Sequence, residues 1–136
     1  MNEQAIDRER EERLQWVLEY MGFKVEATDT MSRHDFLLHW NGKPALLAEY
    51  KYRAKMYNTH LVSKTKIDGL ITRASALGVR PVFITSYETE TPYWRWDCHG
   101  RCEVETFRRV LVDPNRPDPD KSEPCYAIPR DQFHMV

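Results

Sequence analysis

No apolar run in the chain approaches the about 18 residues that a membrane-spanning helix needs, and the N-terminal MNEQAIDREREER is charged where a secretory signal needs an apolar segment. These absences predict a cytoplasmic protein with no membrane partner. Cysteine is scarce: Cys98, Cys102 and Cys125 make an odd number without framework spacing, which fits free thiols in a reducing compartment rather than a disulfide scaffold. Net charge is nearly absent as well, since 20 Lys and Arg stand against 21 Asp and Glu. The total therefore gives no sign of a polyanionic partner. No internal repeat is visible, and neither a helix-turn-helix nor a zinc finger supplies a separate recognition module. What is there is a chain of 136 residues, 41% hydrophobic, the size of one globular domain that can bury a core without staples.

The charge that is present is unevenly placed. Residues 1–30 carry eight acids against four bases, whereas residues 50–81 carry seven bases (Lys51, Arg53, Lys55, Lys64, Lys66, Arg73, Arg80) against Asp68 alone. A basic middle segment points to a polyanion, because Lys and Arg that face phosphates release counterions; a solvated helix face is the plainer reading of the same residues.

From Ala5 to Met21, Leu14, Val17, Leu18 and Met21 follow the spacing of an amphipathic helix that closes at Gly22. Glu11, three residues before Leu14 and seven before Leu18, lies at the N-terminal end of the buried stripe. Phe23–Ala27 reads as a short strand and Thr28–Arg33 as a polar connection. Two apolar runs, Phe36–Trp40 and Ala45–Tyr52, flank Asn41-Gly42 and predict an antiparallel hairpin. Lys55–Thr59 then reads as a loop, and Leu61–Leu77 as a second helix with Ile67, Leu70, Ile71, Ala74 and Leu77 at helical spacing before a stop at Gly78. Pro81–Tyr87 is an apolar strand. Tyr93–Trp96 and Cys102–Val112 read as a further strand pair around Cys98-His99-Gly100, with Trp94 and Trp96 on one face. From Asp113 the chain turns Pro- and Asp-rich, as a surface loop or tail does.

The hairpin carries acids that need an explanation. Alternation puts Glu49 and Lys51 on one face of their strand and Tyr50 on the other. A plain two-residue loop at Asn41-Gly42 pairs Asp35 with Ala48 and sends Asp35 and Glu49 to opposite faces. A three-residue loop, or a bulge elsewhere in the hairpin, restores Asp35, Glu49 and Lys51 to a common face. Two carboxylates that converge repel unless one is protonated or a cation sits between them. Oxygen ligation by one or two carboxylates, with the other positions left to water and phosphate, is how Mg²⁺ is usually held, and such an ion beside a lysine supports phosphodiester hydrolysis.

These residues resemble a known family. His34-Asp35, thirteen intervening residues, then Glu49-Tyr50-Lys51 is similar to the motif of the PD-(D/E)XK nuclease superfamily, with His34 where the motif has proline. EERLQWVLEYMGF, with an acid eleven residues before Gly-Phe, resembles the first helix of the archaeal Holliday-junction resolvase branch, and SKTKIDGLITRASALGVRPVFIT resembles the second. The likeness spans roughly residues 9–87. It implies an α/β, restriction-endonuclease-like core (α-β-β-β-α-β) with a mixed central sheet over about residues 5–87, and a C-terminal extension with an added β-hairpin over about residues 88–136. It further implies Mg²⁺, with Mn²⁺ able to substitute, held by Asp35, Glu49, Glu11 and the carbonyl of Tyr50. Lys51 then acts on the attacking water or the transition state. Lys66, with Lys64, Arg53, Lys55, Arg73 and His34, faces nucleic acid.

The function so implied is an endonuclease or exonuclease on DNA, with RNA open as an alternative. It selects a junction, flap or end by structure rather than by sequence, and a two-fold homodimer suits paired cuts on a junction. One rival is a catalytically inactive nuclease-like fold that binds nucleic acid or protein. Another is a small zinc module built on Cys98, His99 and Cys102 with Cys125 or His134, although C-H-x-x-C is not a paired-knuckle spacing.

Overall fold

The computed structural model describes residues 3–27, 35–53, 55, 58–88, 92–98, 110–111 and 122–136. The chain begins with helix α1 (Glu3–Tyr20), whose Leu14 and Leu18 are buried as their spacing requires. It continues through β1 (Lys24–Ala27), β2 (Asp35–Trp40), β3 (Lys43–Arg53) and β4 (Thr59–Ser63) to helix α2 (Lys64–Leu77) and β5 (Arg80–Tyr87). After these come β6 (Trp94–Trp96), β7 (Val110–Leu111), β8 (Ser122–Glu123), β9 (Cys125–Pro129), a 3-10 turn at Arg130–Gln132 and β10 (His134–Met135).

Among the described residues, six strands form one sheet in the order β1-β2-β3-β5-β6-β10. Only β3 and β5 run parallel, because the crossover through β4 and α2 returns the chain in the same direction. The sheet is therefore mixed, and the fold is α/β as its element order implied. Alternation along the central strands then decides what each face meets. Phe36, Leu38, Ala48, Tyr50, Tyr52, Val82 and Ile84 pack beneath α1 with Leu14 and Leu18. Leu47 and Phe83 point the other way and join Ile67, Leu70 and Ala74 of α2, with Trp96, Ile128 and Phe133. Fully burying a leucine or phenylalanine contributes about 2 kcal/mol, so the sheet is held by two apolar layers rather than one.

Helix α2 starts later than its periodicity predicted. Thr59–Ser63 is a strand paired antiparallel with Cys125–Pro129, so both the loop expected to Thr59 and the helix start expected at Leu61 are corrected. The helix begins where Ser63 can cap it: the side chain accepts a hydrogen bond from the Lys66 N–H at 3.5 Å. Its other end is the stop expected at Gly78, whose φ is +70°. Ser63→Ala is expected to lower stability by about 0.5–1 kcal/mol in urea unfolding, the low end for a cap because this bond is long.

The C-terminal extension also differs in its pairing. Trp94–Trp96 finds its partners in β5 and in His134–Met135, not in a strand over residues 102–112. Trp94 and Trp96 do share a face, in the layer under α2. Val110–Leu111 pairs antiparallel with Ser122–Glu123 instead. Residues 99–109 and 112–121 lie outside the described residues, and with them His99, Cys102 and most of the Pro- and Asp-rich segment. Cys98 and Cys125 are both buried. No helix among the described residues is long and apolar enough to cross a membrane.

Candidate active site

The loop joining β2 to β3 has φ of +52° at Asn41 and +77° at Gly42, the pair of left-handed conformations that a type I′ turn needs and that Asn-Gly supplies at low strain. Trp40 accordingly pairs with Lys43. Left at that, the register would separate the acids. It shifts between Leu38 and His39, however: His39 faces Pro44, Leu38 faces Leu46, and Ala45 is the extra residue of a bulge. Pro44 has no N–H to give to a ladder, which makes this the place in the hairpin where a break in pairing costs least. Beyond the bulge every parity is reversed, and Asp35 lies directly opposite Glu49. Side chains directly opposed in this way stand on one face with their Cβ atoms roughly 5 Å apart.

That face is the one covered by α2, since Leu47, two residues before Glu49, packs there. Lys51, two residues beyond Glu49, shares it and is exposed. Its backbone is fixed from the neighbouring strand, where the buried Thr85 hydroxyl donates to the Lys51 carbonyl at 2.9 Å. Asp35 is almost fully enclosed, at 3% exposure. The Arg73 guanidinium of α2 meets it, with Nη2 donating to Oδ2 at 2.7 Å. A buried carboxylate without such a partner would be strongly unfavourable, so this ion pair is what permits Asp35 to be enclosed.

Arg73, expected to face nucleic acid, lies against Asp35. The helix makes room for it through Gly69, one turn earlier, where a Cβ would come within 3.0 Å of Arg73 Nη1. A glycine in a helix interior costs roughly 1 kcal/mol relative to alanine, and this was the one sequence signal of a close approach here. Two other expected phosphate-facing cations are likewise engaged within the fold. Arg53 Nη2 donates to the Leu61 carbonyl at 2.8 Å, tying β3 to β4. Lys64 is bound to Asp68, which also accepts from the Tyr126 hydroxyl; these contacts raise the Lys64 pKa and lower that of Asp68. Lys55 and Lys66 are exposed, as Lys51 is. His34 lies outside the described residues.

The turn of α1 that carries Glu11 lies at the same end of the sheet. The Arg10 guanidinium lies 4.9 Å from the centre of the Tyr52 ring and donates to the Tyr87 carbonyl at 3.2 Å, which sets this part of α1 at the C-terminal ends of β3 and β5. Helix α1 nevertheless covers the face that carries Tyr50 and Tyr52, opposite to Glu49 and Lys51. Among the described residues no three His, Cys, Asp or Glu side chains gather into a group that could hold a metal ion. The acidic centre on the α2 face is thus a pair, Asp35 and Glu49. The Tyr50 side chain turns away from this face to hydrogen-bond Ser86.

The donor set suits a hard divalent cation. Both side-chain donors are carboxylate oxygens, and two of them, Asp35 Oδ1 and Glu49 Oε2, are buried atoms that accept no hydrogen bond from the described residues.

His60 is a buried residue of β4. Its Nδ1 meets the Tyr87 hydroxyl at 2.8 Å, and its ring packs on Phe83 and Phe133. Burial, with the Arg53 charge adding to it, lowers the His60 pKa to about 3. His39 is the sheet residue expected, paired with Glu26 at 2.9 Å.

The fold is similar to that of a Holliday junction resolvase from Archaeoglobus fulgidus, with a TM-score of 0.62 and 16% sequence identity over 93% of this chain and 89% of that one. No family model and no curated protein matches the chain.

Proposed function

We propose that the protein is a metal-dependent nuclease that hydrolyses phosphodiester bonds in DNA and selects its substrate by structure, a branched junction before a flap or an end. The observation that carries this reading is the bulge-enforced opposition of Asp35 and Glu49 with Lys51 on the same face. The resolvase with the similar fold supports the choice of a junction.

Asp35 and Glu49 would hold Mg²⁺, or Mn²⁺ in its place, with the Tyr50 carbonyl completing the protein's contribution. When bound, the ion neutralises charge that develops on the phosphoryl group and lowers the pKa of a water molecule. Lys51, exposed beside the pair, orients the attacking oxygen and meets the charge of the pentavalent transition state. Lys55 and Lys66 bind backbone phosphates on either side. Glu11, from the other face, acts through water rather than as a direct ligand, since Mg²⁺ keeps several waters of its own. A two-fold pair of chains would supply both cuts on a junction.

The test is cleavage of labelled single-strand, duplex, flap, four-way-junction and RNA substrates with Mg²⁺ or Mn²⁺. Cutting of the four-way junction in preference to the linear duplex is the expected result. Binding of nucleic acid with no cutting of any substrate would replace this reading with that of a binding protein on a nuclease-like frame.

A further inference from the structure

Arg73 occupies a position that a simple two-carboxylate metal site does not require. Its guanidinium is held on Asp35 Oδ2 at 2.7 Å, in the acidic pair itself, and Gly69 supplies the space for it on α2. Any divalent ion that binds between Asp35 and Glu49 must therefore approach a fixed positive charge a few ångströms away and share one carboxylate with it. In a site this enclosed, solvent screens that repulsion poorly.

A phosphodiester changes the balance. Its negative charge, placed beside the ion, is attracted by both cations and converts their mutual repulsion into a shared attraction. We propose that Arg73 is a positioning residue that couples metal loading to substrate arrival: it weakens the affinity of Asp35 and Glu49 for the ion in the free protein and lets the ion bind firmly once a phosphate is present. By linkage the ion strengthens nucleic-acid binding by the same factor. The inference deepens the nuclease reading and rests on it.

The experiment is calorimetric titration of Mg²⁺ into wild type and Arg73→Gln. Each is titrated alone and then with a four-way DNA junction whose phosphorothioate linkages resist hydrolysis. Arg73→Gln is expected to bind Mg²⁺ about tenfold or more tightly than wild type in the free state. The junction should tighten Mg²⁺ binding by wild type by a similar factor, and by the variant much less. Arg73→Lys, which keeps a cation, should stay within about threefold of wild type. If Arg73→Gln fails to fold, wild type and Arg73→Lys carry the test: the junction should tighten Mg²⁺ binding by each about tenfold.

Equal or weaker Mg²⁺ binding by Arg73→Gln, or, where wild type and Arg73→Lys carry the test, Mg²⁺ binding that the junction leaves unchanged, would overturn the inference and leave Arg73 as a structural partner of Asp35. Absence of Mg²⁺ binding by wild type and variant alike, with and without the junction, would remove the metal site and the inference together. Wild-type binding unaltered by Arg73→Gln would remove the inference alone.

Discussion

Glu49→Gln is expected to lower metal-dependent cleavage by about a thousandfold or more under single-turnover conditions while the protein stays folded. The magnitude follows from the role. An ion that stabilises phosphoryl charge is worth several kcal/mol, and about 4 kcal/mol corresponds to a factor near a thousand. Glu49 is the better probe of the two acids. Replacing Asp35 would leave the Arg73 guanidinium half-buried at 26% exposure without its carboxylate, and breaking a buried ion pair from one side costs about 3–5 kcal/mol of stability. The lost activity would then be confounded with lost structure. Removing the charge of Glu49 instead relieves repulsion within the pair, so the thermal midpoint should hold or rise. Lys51→Ala separates the steps further: cleavage falls steeply while Mg²⁺ binding does not weaken, because the lysine repels the ion it assists. Junction cleavage by Glu49→Gln at the wild-type rate would show the acidic pair to be structural.

The second large effect concerns pH and lies in β4. His60 has a folded-state pKa of about 3 against 6.5 when exposed, so it is neutral in the folded protein through most of the acid range. The sign follows from proton uptake. Below pH 6.5 the unfolded chain gains a proton at this residue and the folded chain does not, so stability is complete above about pH 6.5 and is lost as the pH falls toward 3. Between pH 7 and pH 5 the loss is about 2 kcal/mol, a sizeable part of the stability of a small protein. Urea unfolding of wild type beside His60→Gln at the two pH values measures it, and the variant should lack this component of the acid loss. The same pH slope in both proteins would assign the acid sensitivity elsewhere. The consequence reaches the site, because β4 runs straight into α2, which presents Arg73 to Asp35. Acid should loosen that segment first.

Much of the frame was legible because its signals are local. The Leu14–Leu18 stripe, the Asn41-Gly42 turn, the Gly78 stop and the apolar run ending at Tyr87 each depend on residues within a turn or two of one another. Backbone sterics and period do not change with the tertiary environment. The acidic pair was legible only as a conditional: alternation ties Glu49 to Lys51, but whether Asp35 joins them depends on one extra residue. The bulge at Ala45 supplied it, beside a proline that cannot complete the ladder.

What tertiary structure alone decided was pairing across long separations. Thr59–Ser63 carries too short an apolar pattern to be told from the start of a helix, and it became a strand because Cys125–Pro129 lies alongside. Trp94–Trp96 took its partners from β5 and from the last strand rather than from the segment that follows it. Arg73 on a basic helix reads as a surface cation until Asp35 is folded against it. No local rule distinguishes a cation that faces solvent from one that neutralises a carboxylate buried nearly forty positions earlier in the chain. Local propensity fixes the elements through short-range sterics, whereas the partner of each charge and each edge strand is chosen by burial, which exists only once the chain has closed on itself.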